Sequence, residues 1–434
     1  MFKYDFIILY EHRARELENA VLLAMMLEKK GYKVAIEYRR SIRLFFRKAD
    51  VILTPFLYDN DNAVDQIFQP FCHYKKVINL QYEQVFTKKN EEILGDLPKG
   101  YARNASHISW GKNTSERFRN VGIKQEKIFE IGHVSMDLNM PKYRDVFLSR
   151  ATLSASSNLS TEKKWLLFIS SFSCIGLTNT ELEKWSKQTV GTEEFSALSY
   201  KSQPILLDYF EELAKEHPDL EIIYRPHPHE VACNRLFKLE KKYSNFKVIA
   251  KHSIRQWIIV SDYISTWCST SLVDVLYAKK ECAIIRPIPF REEYDYKIFR
   301  DQKILSDFHD LEEFISKSNE SAYYVNPKTI SEYYCNNSDA NTFEKLRDVC
   351  IQVKENKDYE FDFFKAIHPS PWRLLKIYIY KILLSFAEYV DYSKITPEKY
   401  RSDVQDVYRE MHKYKKDIKY YRKRFSGILK NAEA

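Results

Sequence analysis

The stretch LEIIYRPHPHE, residues Leu220–Glu230, starts as a short apolar run and ends in two prolines that bracket a histidine. An apolar run of this length closed by a turn signal reads as a buried strand. Pro226 and Pro228 fix their own φ and push Arg225 and His227 into extended backbone. A stiffened chain therefore presents a guanidinium and an imidazole just past a strand end, where parallel sheets bind ligands. Arg225 offers a fork of donors to a phosphate, and His227 a donor or general acid. The competing structural reading is a rigid turn whose histidine caps a neighbouring carbonyl. His227, His229 and Glu230 also have the composition of a metal cluster, but Pro228 restricts their convergence. No bound metal and no cofactor are expected.

Some forty residues on, Ser265-Thr266-Trp267-Cys268-Ser269-Thr270-Ser271 separates strand DYIST from helix LVDVLYAKK. A helix start carries unpaired N–H groups and partial positive charge. Ser269, Thr270 and Ser271 there can complete an anion site without glycine, although one hydroxyl would suffice as a cap. Asp274, one turn in, either supports the loop or answers a substrate hydroxyl. Ser170 and Ser171 follow strand WLLFIS and form the corresponding loop. These strands alternate with helical stretches from residue 160 to 365, which predicts a doubly wound, Rossmann-like domain.

Upstream, residues 1–150 show the same alternation. Strands are expected at YDFIILY, YKVAIEY, ADVILTPF, KVINLQY, HISW and KIFEIGH, with an amphipathic helix after the first. Glu11 directly follows strand one, with Arg13, Arg15 and Glu16 beside it. Glu83 occupies the equivalent position after VINL. Either Glu11 or Glu83 suits a base or nucleophile, with Arg13, Arg15 and Glu16 on the acceptor side. The Ser-rich stretch 149–164 reads as a linker. The α/β class with two such domains predicts a ligand cleft between them.

The tail, 366–434, is different. WRLLKIYIYKILLSFAEYV is apolar nearly all round, and Thr396-Pro397-Glu398 reads as a helix start. Tyr400, Val404, Val407, Met411, Tyr414, Ile418, Tyr421, Phe425 and Ile428 then keep a heptad spacing, which predicts a coiled-coil seam and a homo-oligomer through residues 400–428. From Pro371 to Ala434 there are 15 Lys and Arg against 8 Asp and Glu. That holds nearly all of the chain's net charge of +8, so the body lacks the basic character that gripping nucleic acid requires.

With 434 residues and 44% hydrophobic content the chain can bury substantial cores. Its nine glycines form neither GxGxxG nor GxxxxGK[ST], so phosphate must be held by side chains and helix starts. Seven cysteines without a CxxC fit a reducing compartment. The N-terminus reads as a strand rather than a signal peptide, and no run of ~20 apolar residues occurs. A cytoplasmic protein is expected.

HPDLEIIYRPHP and SDYISTWCSTSLVDVLYAKK within tandem α/β domains resemble bacterial surface-carbohydrate transferases of GT-B fold. That group includes capsule sialyltransferases, β-Kdo transferases and CDP-glycerol glycerophosphotransferases. ARELENAVLLAMMLEKKGYKV and INLQYEQ are similar to surface carbohydrate biosynthesis proteins, and the resemblance covers about residues 1–330. It implies that Arg225 and His227 match the R-x-H-P element at the donor phosphate, and that Ser269, Thr270 and Ser271 match the hydroxyl loop. It implies a metal-independent glycosyltransferase moving a sugar from a CMP- or CDP-type donor, such as CMP-Kdo, to lipopolysaccharide O-antigen or capsule. The acidic motifs of the sialyltransferases are not recognisable here, so the catalytic carboxylate rests on strand-end position alone. An alditol-phosphate transferase with a CDP-glycerol-like donor, a nucleotide-sugar 2-epimerase, and a non-catalytic GT-B assembly subunit stay open. A lipid-linked or growing glycan acceptor would place the tail at the inner face of the cytoplasmic membrane. Last helices of GT-B folds also commonly pack back on the first domain.

Overall fold

Six short apolar runs form one parallel sheet: β1 (Phe2–Tyr10), β2 (Val34–Tyr38), β3 (Arg47–Thr54), β4 (Lys76–Asn79), β5 (Ser106–Ser109) and β6 (Ile128–Glu130). The computed structural model describes residues 2–93, 97–187, 189–228, 230–231, 233–316 and 323–431. Strand order is β2-β1-β3-β4-β5-β6, with Ile7 level with Ile52 and Ile8 with Ile36. Apolar side chains on both faces are what a sheet covered on both sides needs. Helix α1 (Arg13–Lys29) follows β1 and buries Leu17, Val21, Leu22 and Ala24. The reversal of strand order between β1 and β3 is a topological switch point, the place where open α/β sheets bind ligands.

A second six-stranded parallel sheet consists of β7 (Lys164–Ile169), β8 (Leu220–Arg225), β9 (Phe246–Val248), β10 (Tyr263–Thr266), β11 (Ala283–Ile285) and β12 (Ile304–Leu305). Its order is β9-β8-β7-β10-β11-β12, the dinucleotide-fold order with its switch point between β7 and β10. Helices α2 (Thr192–Glu216), α3 (Ile254–Val260) and α4 (Leu272–Tyr277) belong to this unit.

The chain divides into two compact units, Met1–Gln84 with Asp96–Asp137 and Tyr333–Ala434, and Val85–Gly95 with Leu138–Glu332. The boundary thus lies at residues 137–138 and not in the Ser-rich stretch. Residues 149–158 are instead a capped helix: Ser149 Oγ accepts from the Thr152 N–H, Leu153 is buried, and Asn158 closes it in the left-handed region. Arg150 reinforces it through Val260 O and Asp262. Residues 333–365, read from sequence as part of the second domain, return to the first. Helix α5 (Thr342–Glu355) buries Phe343, Leu346, Val349 and Val353, and Asp137 accepts from the Thr342 N–H at 2.6 Å and its hydroxyl at 2.8 Å.

The tail also belongs to the first unit, as helices α6 (Pro371–Ser385), α7 (Glu398–Met411) and α8 (Tyr414–Asn431). Here the expected coiled coil needs correction. The heptad run breaks at His412–Lys413, where Lys413 takes a φ of +65°. Val404, Val407, Met411, Tyr414 and Phe425 are buried within the same chain, so the seam expected to join subunits is already covered. Tyr10 donates its hydroxyl to Glu410 O at 3.0 Å, and Arg422 makes two bonds to Glu28 at 2.6 and 2.8 Å. The Thr396 hydroxyl donates to Tyr392 O rather than capping α7. No helix among the described residues is long and apolar enough to cross a membrane.

Candidate functional site

In the first unit, the switch point carries a pocket of about 190 Å³ lined by Glu11, Arg15, Glu16, Pro55, Phe56, Tyr58, Tyr82 and Glu83. Three elements supply it for local reasons. Glu11 directly follows β1, and its N–H donates to Glu16 Oε2 at 2.7 Å, which folds the first turn of α1 back over the strand end. Pro55, Phe56 and Tyr58 follow β3, with the Phe56 and Tyr58 rings stacked at 5.3 Å. Gln81, at φ +43°, turns the chain after β4, so Tyr82 and Glu83 line the cavity.

The charges here are arranged unequally. Glu11 is held by Arg39, whose Nη2 and Nε lie 3.0 and 3.1 Å from its Oε1. Glu83 is the exposed member and pairs with Arg15 at 3.4 Å. Glu16 is almost wholly buried, its Oε1 accepts no hydrogen bond from the described residues, and Arg15 Nη2 stands 3.7 Å away. Burial raises the Glu16 pKa, against the opposing pull of Arg15. Arg15 loses solvation, yet Glu16, Glu83 and Glu11 hold its pKa above the ordinary value. Behind the pocket, His133 packs against Tyr82 and Trp110, and burial followed by the Arg15 charge depresses its pKa to about 3.

Glu11 and its rival Glu83 thus line one pocket together with Arg15 and Glu16. Arg13, expected on the acceptor side, does not line this pocket. Its guanidinium donates to His412 O and lies 3.4 Å from Asp417, and its N–H donates to Glu410 Oε2 at 2.5 Å. The helix start points that side chain at the tail. Phe56 and Tyr58 were missed, although their place after the third strand was a usable signal.

In the second unit, Arg225, Ile169 and Thr266 are level on adjacent strands, so the loops after β8, β7 and β10 leave one sheet edge together. Ser171 Oγ accepts the Cys268 N–H at 2.9 Å, and the Thr266 hydroxyl donates to Ile169 O at 2.9 Å. The Ser170–Ser171 loop and the 267–271 loop thus form one constellation across the switch point. Within it, Ser269 Oγ accepts the Ser271 N–H, Ser269 and Ser271 are half-buried, and Thr270 is exposed. Helix α4 starts only at Leu272 and has six residues, so its dipole is that of a short helix.

Glu230 organises the proline loop. It accepts from Ser170 Oγ, from Tyr224 OH at 2.6 Å, from Gln203 Nε2 at 3.0 Å and from the His227 N–H at 3.0 Å. Burial raises its pKa despite those donors. The sequence offered Glu230 only as a metal-like neighbour of His227. His229, the third member of that cluster, lies outside the described residues. Among the described residues no three or more His, Cys, Asp or Glu side chains gather as a metal site.

Arg225 is engaged by the chain itself. Its guanidinium donates to Ile249 O at 3.2 Å, Lys251 O at 2.5 Å and His252 O, clasping the loop after β9, and desolvation lowers its pKa to about 10. His227 is half-buried beside it. Asp274 is buried between Asn139 Nδ2 at 2.9 Å and Arg255 at 3.6 Å, which is the loop-supporting alternative. Arg286, unremarked in the sequence, makes two bonds to Asp295 at 2.5 and 2.9 Å and one to Trp267 O, bracing the same loop.

The two switch points on parallel sheets define a GT-B α/β protein with a C-terminal helical region. Solved structures share this fold. The wall teichoic acid polymerase TagF matches with a TM-score of 0.53 at 12% identity, over 81% of this chain and 89% of that one. A variant of TagF soaked with CDPG matches with a TM-score of 0.51 at 13% identity over the same shares. A UDP-N-acetylglucosamine 2-epimerase matches with a TM-score of 0.51 at 13% identity, over 82% and 98%. No protein-family model and no curated protein matches the chain in sequence.

Proposed function

We propose that this protein is a glycosyltransferase that moves a sugar from a nucleotide-activated donor, of CMP or CDP type, to a bacterial surface glycan. One observation carries the reading: in a GT-B fold, each unit has its chemistry-bearing side chains at its own switch point. The second unit offers the hydroxyls of Ser171, Ser269, Thr270 and Ser271 at one sheet edge, a neutral donor set suited to a diphosphate or phosphodiester, while Ser170 donates its own to Glu230. His227 is the proton donor for the departing nucleotide. The first unit offers carboxylates and aromatic rings around a cavity, the composition that receives a sugar or polyol hydroxyl.

Of the three carboxylates, Glu16 fits the general base best, because burial moves its pKa toward the working range while Arg39 occupies Glu11. Glu83 steers Arg15. Arg225 acts through the loop it clasps, so its removal costs stability as well as turnover.

A thermal-shift panel of cytidine, uridine, guanosine and thymidine nucleotides tests the reading first, since a ligand of the native state raises apparent stability. Stabilisation by a cytidine nucleotide is expected. No shift with any nucleotide favours the non-catalytic assembly subunit. With the ligand known, His227→Ala is expected to stop nucleotide release while leaving the melting transition unchanged, and normal turnover would refute the assignment. The mass added to the acceptor separates sugar transfer from alditol-phosphate transfer, and turnover without acceptor marks a 2-epimerase.

A further inference from the structure

The first unit carries an apolar face that its own chain leaves uncovered. Of the 21 large apolar side chains exposed among the described residues, nine lie between Trp372 and Ile395. They follow helical spacing: Trp372, Leu375, Ile379, Leu383 and Phe386 fall on one side of α6 and its 3₁₀ continuation, Phe386–Glu388. Trp372 is 73% exposed and Phe386 63%. Each such side chain presents on the order of 100 Å², so the five on that side alone reach the ~300–600 Å² of the largest patch on a typical monomer.

The opposite side of the helix is fastened down. Lys381 is buried against Asp65, Leu384 is buried, the Tyr378 ring meets Phe45 edge-on at 5.3 Å, and Glu388 takes two bonds from Arg43 at 2.8 and 2.9 Å. A fixed inner face forces the apolar stripe outward.

We propose that this face docks on an anionic lipid surface, with α6 lying in the interfacial plane. Three observations choose that occupant. The stripe has an indole near one end and a phenol, Tyr389, near the other, side chains that favour the headgroup boundary. Exposed Lys376 sits beside Leu375 and Ile379, and exposed Lys394 and Lys399 follow the stripe together with exposed Asp391 and Glu398, within a tail carrying seven more basic than acidic residues from Pro371 on. That charge is drawn to anionic headgroups and repels a second copy of the same face. The helix is too short and too mixed to span a bilayer, which leaves lying on it.

Flotation of the full chain with phosphatidylcholine vesicles, with and without phosphatidylglycerol, tests the proposal. Binding is expected to the anionic vesicles, weakening as salt is raised. Leu383→Glu with Phe386→Glu is expected to bind at least about tenfold more weakly while its circular dichroism and melting midpoint stay unchanged, because both side chains are exposed. Tryptophan emission should shift to the blue on binding, and Trp372→Phe should remove most of that shift, since Trp110, Trp165, Trp257 and Trp267 are buried and the half-buried Trp185 belongs to the other unit. Absence of flotation with either vesicle, or undiminished binding by the double variant, overturns the proposal. A sedimentation-velocity dimer that the double variant abolishes, without vesicle binding, assigns the face to a second copy and overturns it equally. None of these readouts depends on whether the switch points turn over a nucleotide sugar.

Discussion

The two switch points use the same sheet geometry for opposite chemistry. In the first unit, charged side chains face the cavity: Glu11, Arg15, Glu16 and Glu83 line it directly. In the second, the charged groups are committed to scaffolding. Arg225 clasps three carbonyls, Glu230 gathers four donors, Arg286 binds Asp295, and Asp274 is closed off by Asn139 and Arg255. What stays at that edge is the half-buried imidazole of His227 with the hydroxyls of Ser171, Ser269, Thr270 and Ser271. An anionic ligand is held by many aligned neutral donors, whereas proton transfer needs a group whose charge changes. The contrast fits a donor subsite on one unit and a base on the other.

The contrast can be broken at several points, and the largest effect is expected at Glu16. Glu16→Gln should lower nucleotide release about 10²–10⁴-fold, against smaller losses for Glu11→Gln and Glu83→Gln. Equal losses at all three would erase the difference drawn between a buried base and its supports. On the scaffold side, Glu230→Ala leaves Ser170, Tyr224, Gln203 and the His227 N–H without their shared acceptor. A loss of about 2–4 kcal/mol in denaturant unfolding is expected. A change within experimental error would mean that Glu230 does not organise the loop.

Acid should weaken the first unit through two histidines. Burial depresses the pKa of His107 to about 4 and that of His133 to about 3. The unfolded chain takes up these protons near pH 6.5, but the folded chain does not. Their stability contribution is therefore complete above pH 6.5 and is lost as pH falls toward the folded values. The slope approaches about 1.4 kcal/mol per pH unit for each group. Unfolding titrations between pH 7 and 5 should show it, and His133→Phe should remove about one proton from the slope. A variant as steep as the wild type would contradict a neutral buried His133. The smallest effect is expected at Ser171→Ala, which breaks the bond to the Cys268 N–H at a cost of about 1 kcal/mol. It should raise the KM for donor while leaving kcat nearly unchanged.

Most of the architecture was legible. Each predicted strand of the first 150 residues appears within a few positions, because buried parallel strands are written as unbroken apolar runs such as FIILY, VILT and KVIN. The strand-end rule also placed Glu11, Glu83, Ser170, Ser171 and the 269–271 loop just after strands, where they stand. It failed for Arg13, because a residue at a helix start can face either of two neighbours and here it faces the tail. It could not grade the carboxylates either, since Glu16 differs from Glu11 and Glu83 chiefly in burial and in the position of Arg39. The heptads of 400–428 misled for a related reason. A regular apolar stripe records that a face will be covered, and nothing about whether the cover belongs to another chain.

Local sequence thus determined which segments are strands and helices, where the chain stiffens at Pro226 and Pro228, and which side chains stand at strand ends. Those follow from backbone preference and apolar periodicity, which act over a few residues. The tertiary structure alone decided that residues 333–434 rejoin the first unit, that Arg225 and Glu230 build loops, and that one face of α6 stays open to solvent. Each of those outcomes depends on partners hundreds of residues away or brought together across a sheet, and pairing at that range leaves no periodic trace in the sequence.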